Sequence, residues 1–164
     1  MIERFKDLWG DYVEPIYRRP ERLQFAALCY RGEGEDLRVL LITSRDTGRW
    51  VLPKGWPMRG RDGAGTALRE AWEEAGVRKA VADTLPLGDF VYDKGLKGDW
   101  CIPVRCIVYS ARVTRLEDDF PEMSERRRVW VTPAEAASMV NEPGLQGLLR
   151  QFASRNCRIP VTKR

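Results

Sequence analysis

Three glutamates in one short segment are the residues of this sequence whose types and spacing could do chemistry. Residues 69–77 read REAWEEAGV and contain Glu70, Glu73 and Glu74. At about 100° per residue of a helix, these three side chains fall within an arc of about 100° and project from one face. Glu70 and Glu74 repel each other at i and i+4, and the last two glutamates meet the negative end of the helix dipole.

Two interpretations of this acidic face are open. A solvated surface would leave the repulsion unrelieved, whereas a divalent cation would turn it into attraction, because hard cations take carboxylate and carbonyl oxygens as ligands. The sequence contains no histidine, which excludes Ser-His-Asp and Cys-His nucleophilic sites and every metal site built on imidazole. A catalytic metal would therefore be held by oxygen, as magnesium, manganese and calcium are.

A glycine upstream and an arginine beside the glutamates extend the pattern. Gly55 follows the residues LPK and precedes Arg69 by fourteen positions. A glycine lets the backbone come close to an ion or a phosphate and frees its carbonyl to act as a ligand. Arg69 lies beside the glutamate arc, where it either pairs with a carboxylate or is an ordinary surface residue.

Taken in order, these residues resemble the Nudix box, which is Gly-x5-Glu-x7-Arg-Glu-aliphatic-x-Glu-Glu-x-Gly-aliphatic. The sequence matches it at Gly55, Arg69, Glu70, Glu73, Glu74, Gly76 and Val77. Two positions depart from the box: Arg61 stands in place of its first glutamate, and Ala71 in place of its aliphatic residue. In the family that first glutamate usually supports the loop and the helix, so the resemblance implies that activity is retained with Arg61.

The resemblance implies an α/β fold, a Nudix-type α/β/α sandwich with a mixed sheet, and hydrolysis of a diphosphate linked to a further moiety. It implies magnesium or manganese as cofactor, held by Glu70, Glu73 and Glu74 with the main-chain carbonyl of Lys54 or Gly55 nearby. The metal would neutralise the pyrophosphate and activate a water molecule, and a carboxylate would take the proton. Glu73 and Glu74 are thus catalytic candidates. A later loop often supplies the general base in this family, which here offers Glu122 or Glu125 in the acidic stretch 117–125.

Within the family, GRWVLPKGWP and RRRVWVTPAEAA resemble the branch that includes diphosphoinositol polyphosphate and diadenosine polyphosphate hydrolases. Such polyphosphates need several cationic partners, and arginine grips two oxygens at once. We therefore expect substrate contacts from a set of basic residues that are equally compatible with a solvated surface: Arg45, Arg49, Lys54, Arg59 and Arg61. Trp56 and Trp100 either stack on a base or belong to the core.

The elements that must position these residues alternate in a mixed α/β order. The pattern predicts strands at 23–31, 37–44 and 127–131, a short strand around Trp50, and a hairpin of 86–95 with 99–113. It predicts helices at 64–75 ended by Gly76, at 133–140 capped by Thr132, and at 144–155. The Gly/Pro-rich segment 45–65 is predicted to be a functional loop.

Length and composition favour one domain. We expect an N-terminal extension at 1–22 with a short amphipathic helix, a Nudix domain at 23–155 and a tail at 156–164. No segment is long and apolar enough to span a membrane, and the N-terminus lacks the features of a secretory signal, so a cytoplasmic location is expected by default. The four cysteines form no CxxC pair, and Cys29, Cys101 and Cys106 are predicted to be buried free thiols.

Three classes of function remain open. The first is a metal-dependent pyrophosphohydrolase of a small polyphosphate, with removal of an RNA 5′ pyrophosphate as a variant that the net charge of +4 would suit. The second is a non-catalytic module that binds a nucleotide or RNA, although such a module has no reason to keep three repelling carboxylates. The third is an adaptor with an incidental acidic face. Nucleic acid is expected only as an RNA 5′ end, and monomer and homodimer are both open.

Overall fold

The computed structural model describes residues 21–156. The predicted extension 1–22, with its short helix, and the predicted tail 156–164 therefore lie almost wholly outside the described residues, as does Cys157. No helix within 21–156 has the length and apolar character needed to cross a membrane.

Eight strands and three helices make up the described chain. In order they are β1 (Arg22–Arg31), β2 (Arg38–Thr43), β3 (Trp50–Val51), β4 (Lys54–Gly55), α1 (Gly63–Ala75), β5 (Val77–Ala82), β6 (Gly88–Gly95), β7 (Cys101–Leu116), β8 (Arg128–Val131), α2 (Pro133–Met139) and α3 (Pro143–Asn156). All strands belong to one mixed sheet, in which β1 pairs in parallel with β7 and antiparallel with β2 and β4. Strand β7 also pairs with β5 and β6, and β2 with β3 and β8.

Both faces of the sheet are covered, because successive side chains of a strand point to opposite faces. In β1, Ala26 and Leu28 pack with Leu145 and Leu149 beneath α2 and α3. Their neighbours Ala27 and Cys29 pack on the other face with the small apolar side of α1, formed by Ala67, Ala71 and Ala75. The predicted α/β/α sandwich with a mixed sheet is confirmed.

The structure differs from the predicted elements at two strands and one cysteine. β4 and β5 have no predicted counterpart, because β4 contains two residues and β5 carries Arg78 and Lys79 without clear alternation. Cys29 and Cys106 are buried as predicted, and burial raises the pKa of each thiol to about 12. The prediction for Cys101 is wrong: this residue is exposed, because it begins β7 opposite Gly95 at one end of the hairpin.

Gly76 ends α1 with a left-handed backbone, φ 74°. A Cβ at this position would also lie 2.3 Å from the main-chain oxygen of Glu117. We expect Gly76→Ala to lower the free energy of unfolding by about 2 kcal/mol or more, since it combines backbone strain with a backbone clash. Gly147→Ala in α3 is the control, because a Cβ there meets nothing within 4 Å and should stabilise the helix by about 0.5–1 kcal/mol. Equal urea midpoints for the two variants would contradict this account.

Candidate functional site

One cavity of about 320 Å³ is lined by all three glutamates of α1. Asp62 begins the helix by accepting a hydrogen bond from the Gly65 N–H at 2.7 Å, and the buried alanines hold it against the sheet. The other walls of the cavity come from β4, the loop after β2 and the segment before β8, which contribute Lys54, Gly55, Arg45, Glu122 and Arg126. The convergence expected from the helical wheel is therefore present.

Gly55 provides the space that the Glu70 carboxylate occupies. A Cβ built on Gly55 would lie 2.0 Å from Glu70 Oε1, so a side chain at this position would displace the carboxylate. Burial raises the pKa of Glu70, and the nearby carboxylates of Glu73 and Glu122 raise it further. Glu70 is thus held where its negative charge is disfavoured.

Glu74 is the most deeply buried of the three glutamates, with 8% of its surface exposed. Its Oε2 accepts a hydrogen bond from the Lys54 main-chain N–H at 3.1 Å, and its Oε1 accepts one from Arg126 Nη2 at 2.7 Å. Burial raises the pKa of Glu74 to about 7, although Arg126 and the Lys54 N–H act in the opposite direction. Glu74 is therefore a carboxyl that can exchange a proton near neutral pH.

Arg126 is the site residue that the sequence did not reveal. Its side chain is 6% exposed, and besides Glu74 it contacts the Thr43 carbonyl at 2.9 Å and Glu122 Oε2 at 3.5 Å. The sequence shows it only within the run Arg126-Arg127-Arg128. A basic run gives no indication of which member is buried, since burial depends on where β8 enters the sheet.

The two predicted candidates for the general base lie in different places. Glu122 lines the cavity, its main-chain N–H donates to the Glu73 carbonyl at 3.0 Å, and its carboxylate lies 3.0 Å from Arg45 Nη1. Glu125 lies outside this lining, with a side chain 48% exposed and 3.6 Å from Arg45. Glu73 accepts a hydrogen bond from Arg69 Nε at 2.6 Å. Of the two interpretations of Arg69, pairing with a carboxylate is therefore the one that the structure shows.

The predicted substrate-binding cations divide into two groups. Arg45 and Lys54 line the cavity, and Arg49 lines an adjoining one. Arg59 and Arg61 are exposed and line neither, and Arg61 instead faces a groove on another side of α1 with Arg69 and Trp72. Trp56 lies at the cavity with Arg22 and Lys94 each 5.4 Å from its ring, and Trp100 is exposed rather than part of the core.

The donor chemistry of the cavity fits a hard divalent cation. Five carboxylates line it, those of Asp46, Glu70, Glu73, Glu74 and Glu122, and carboxylate oxygens are the ligands that magnesium and manganese take. Among residues 21–156, no three carboxylate or thiol side chains are already arranged to hold a metal ion. Arg69 donates to one oxygen of Glu73, and Arg126 donates to one oxygen of Glu74.

A family comparison agrees with this geometry. The family model described as NUDIX domain matches residues 20–152 of the sequence. The chain belongs to the Nudix family. Among curated members, this Nudix chain is 32% identical over 117 residues to the Bos taurus protein named diphosphoinositol polyphosphate phosphohydrolase 3-beta. That match covers 70% of this chain and 66% of the relative, just under two thirds of its length.

Further relatives place the chain in the same family. It is 32% identical over 140 residues to the Arabidopsis thaliana protein named Nudix hydrolase 12, mitochondrial, covering 81% of this chain and 68% of that one. Its fold is similar to that of the C. elegans Ap4A hydrolase, with a TM-score of 0.62, 21% identity and coverage of 83% of this chain and 98% of that one. The E. coli dihydroneopterin triphosphate pyrophosphohydrolase has a TM-score of 0.59 at 15% identity, covering 85% and 98%. At these identities the solved structures support the Nudix fold.

Proposed function

We propose that this Nudix chain is a magnesium- or manganese-dependent pyrophosphohydrolase. Its substrate is a small polyphosphate of the diphosphoinositol polyphosphate or dinucleoside polyphosphate class, and it cleaves a phosphoanhydride bond. The observation that carries the proposal is one cavity in which five carboxylates and the four cations Arg45, Lys54, Lys94 and Arg126 line the same space. The names of the curated relatives support the substrate class, and those of the structural neighbours support hydrolysis.

Each side chain has a role that its position supports. Glu70, Glu73 and Glu74, with the carbonyl of Gly55, would hold the divalent cation, which when bound supplies charge neutralisation and water activation. Arg45 and Lys54 bind phosphate oxygens, since both line the cavity. Glu122 takes the proton of the attacking water, because its loop is tied to the end of α1 and its carboxylate faces the cavity. Arg126 positions Glu74.

The test is an assay of purified protein with magnesium or manganese against several phosphoanhydrides. The panel contains dinucleoside polyphosphates, diphosphoinositol phosphates, nucleoside triphosphates and 5′-triphosphate RNA. We expect phosphate-containing products from at least one small polyphosphate, and their loss on addition of EDTA. Turnover that persists in EDTA would contradict the metal mechanism. Absence of product from every substrate in the panel would favour a nucleotide-binding module.

Removal of the 5′ pyrophosphate of RNA is the second candidate. It is favoured by a groove of about 500 Å³ beside α1, which includes the cations Arg61, Arg69, Arg78 and Lys79. Two register shifts in the pairing of β5 with β7 leave both Arg78 and Lys79 exposed, although they are consecutive in the strand. Arg69 lines this groove and also pairs with Glu73 of the cavity, so a polyanion chain could contact both. Faster turnover of 5′-triphosphate RNA than of any small polyphosphate would favour this candidate.

A further inference from the structure

A second cavity of about 530 Å³ adjoins the carboxylate cavity. The two share Ser44, Asp46, Val51, Lys54 and Lys94 as lining residues, so a ligand can extend from one to the other. Beyond the shared wall, the second cavity is lined by Arg49, Tyr92 and Glu142. Three carboxylates, those of Asp46, Asp93 and Glu142, lie in this cavity with four cations and the Tyr92 ring.

Glu142 has an oxygen that lacks a donor. Its side chain is 11% exposed, and its Oε1 lies 3.6 Å from Arg49 Nη1. Its Oε2 is buried and, among residues 21–156, has no hydrogen-bond partner. Although Glu142 immediately precedes α3, its main-chain carbonyl accepts the Gln146 N–H, whereas Oε2 accepts no bond from the helix. A buried acceptor without a donor is destabilising by about 1–3 kcal/mol, so a partner such as water, an ion or a ligand is expected for it.

Lys54 lies at the boundary of the two cavities, and its ammonium group is, among residues 21–156, a donor without an anionic partner. Within the described chain it forms no ion pair, and its Nζ lies 5.5 Å from the centre of the Tyr92 ring. Burial lowers the pKa of Lys54, while Glu74 and Glu142 on its two sides act to raise it. From the carboxylate cavity outward, a ligand therefore meets a cation suited to phosphate and then an acceptor suited to an N–H group.

This order of groups matches a nucleotide better than a fully phosphorylated ring. A phosphate group at neutral pH presents acceptor oxygens, and close to Glu142 it would add repulsion to an already unpaired acceptor. The amino group of a nucleobase presents N–H donors and no charge, and a carboxylate accepts from it directly. Lys94 and Lys97 in the same cavity remain available to the phosphate chain.

We propose that Glu142 is a specificity residue, which accepts a hydrogen bond from the amino group of the base in a nucleoside or dinucleoside polyphosphate. The proposal rests on the proposed function, since it assigns the part of the substrate that extends beyond the phosphates. It selects the nucleotide class over the diphosphoinositol class. Lys54 binds the phosphate chain that joins the two cavities.

The first test pairs a change in the protein with a change in the ligand. Glu142→Met removes the acceptor at similar volume, and replacing adenine by unsubstituted purine removes the amino group. We expect kcat/KM for the diadenosine polyphosphate to fall roughly tenfold to a hundredfold in Glu142→Met, as for loss of a hydrogen bond to a charged group. The purine analogue should show a similar loss with the native protein and no further loss with Glu142→Met. Tripolyphosphate turnover should be unchanged, and so should every activity of the control Glu35→Met.

Binding measurements separate the two proposals. Dissociation constants for the β,γ-methylene analogues of adenosine and purine-riboside triphosphate, obtained by calorimetry, report the contact whether or not the protein turns over a substrate. Tighter binding of the adenosine analogue than of the purine-riboside analogue, lost in Glu142→Met, supports the inference. If this preference is found but no hydrolysis is detected, only the proposed function fails. Equal affinities for the two analogues in the native protein, or better turnover of a diphosphoinositol polyphosphate than of any dinucleotide, would overturn the inference.

Discussion

Glu74→Gln is expected to reduce kcat by about a thousandfold, in the range seen when a metal ligand or proton-transfer group is removed. The substitution preserves shape and the bond from the Lys54 N–H, because the amide oxygen can take the place of Oε2. It removes the charge that attracts both Arg126 and a divalent cation. The measurement is steady-state kinetics at saturating substrate over a range of manganese concentrations.

Two comparisons make this prediction specific. Glu35→Gln removes a carboxylate from an exposed turn outside the cavity lining and should leave kcat unchanged. Glu73→Gln/Glu74→Gln should be about as active as Glu74→Gln alone if both carboxylates act through one metal site, since the effects of residues that act as a unit are not additive. Native turnover in the double variant would exclude the metal-site mechanism.

Arg126→Met is expected to lower the free energy of unfolding by about 3–5 kcal/mol, which is the range for removing one partner of a buried ion pair. The loss arises because Glu74, 8% exposed, loses the guanidinium at 2.7 Å, so its buried carboxyl must either stay charged without that partner or take up a proton. The Thr43 carbonyl also loses its contact with Arg126 Nη1. Urea unfolding at fixed pH measures the change.

A double-mutant cycle separates the ion pair from simple loss of packing. Arg126→Met/Glu74→Gln should recover most of the lost stability, because the uncompensated carboxylate is gone. Arg127→Met changes the same type of residue at an exposed neighbouring position and should alter stability by less than about 0.5 kcal/mol. If the double variant is as unstable as Arg126→Met, the charge account is wrong.

The main elements were predictable wherever one local signal dominated. Apolar runs predicted β1 and β2. Gly76, with its left-handed backbone, ends α1 at the predicted place, and the capping box of Thr132 with Glu135 begins α2 at the predicted place. β5 was not predictable in this way, because Val77–Ala82 alternates poorly and becomes a strand through irregular pairing with β7. The exposure of Cys101 likewise depends on where the hairpin ends, which local residue types do not determine.

The residues of the candidate site were predictable for the same reason, where local sequence alone determines their position. Helical periodicity predicted the convergence of Glu70, Glu73 and Glu74, since their positions differ by a few residues on one helix. Arg126 and Glu142 come from segments far away in sequence, and only the folded sheet brings Arg126 to Glu74 and Glu142 near Lys54. Arg61 shows the opposite case: its position in the box placed it near the substrate, whereas the structure turns it toward the groove beside α1.

The parallel pairing of β1 with β7 has a consequence for synthesis of the protein. It joins Arg22 to Val104 and continues to Tyr30 with Arg112, so the centre of the sheet closes only after residue 112 has left the ribosome. Until then the nascent chain already carries the three acidic side chains of α1, while Ala111, part of the surface on which that helix rests, has yet to be added. The sheet that supports the acidic helix is thus completed late in translation, because its central pairing joins segments that are far apart in sequence.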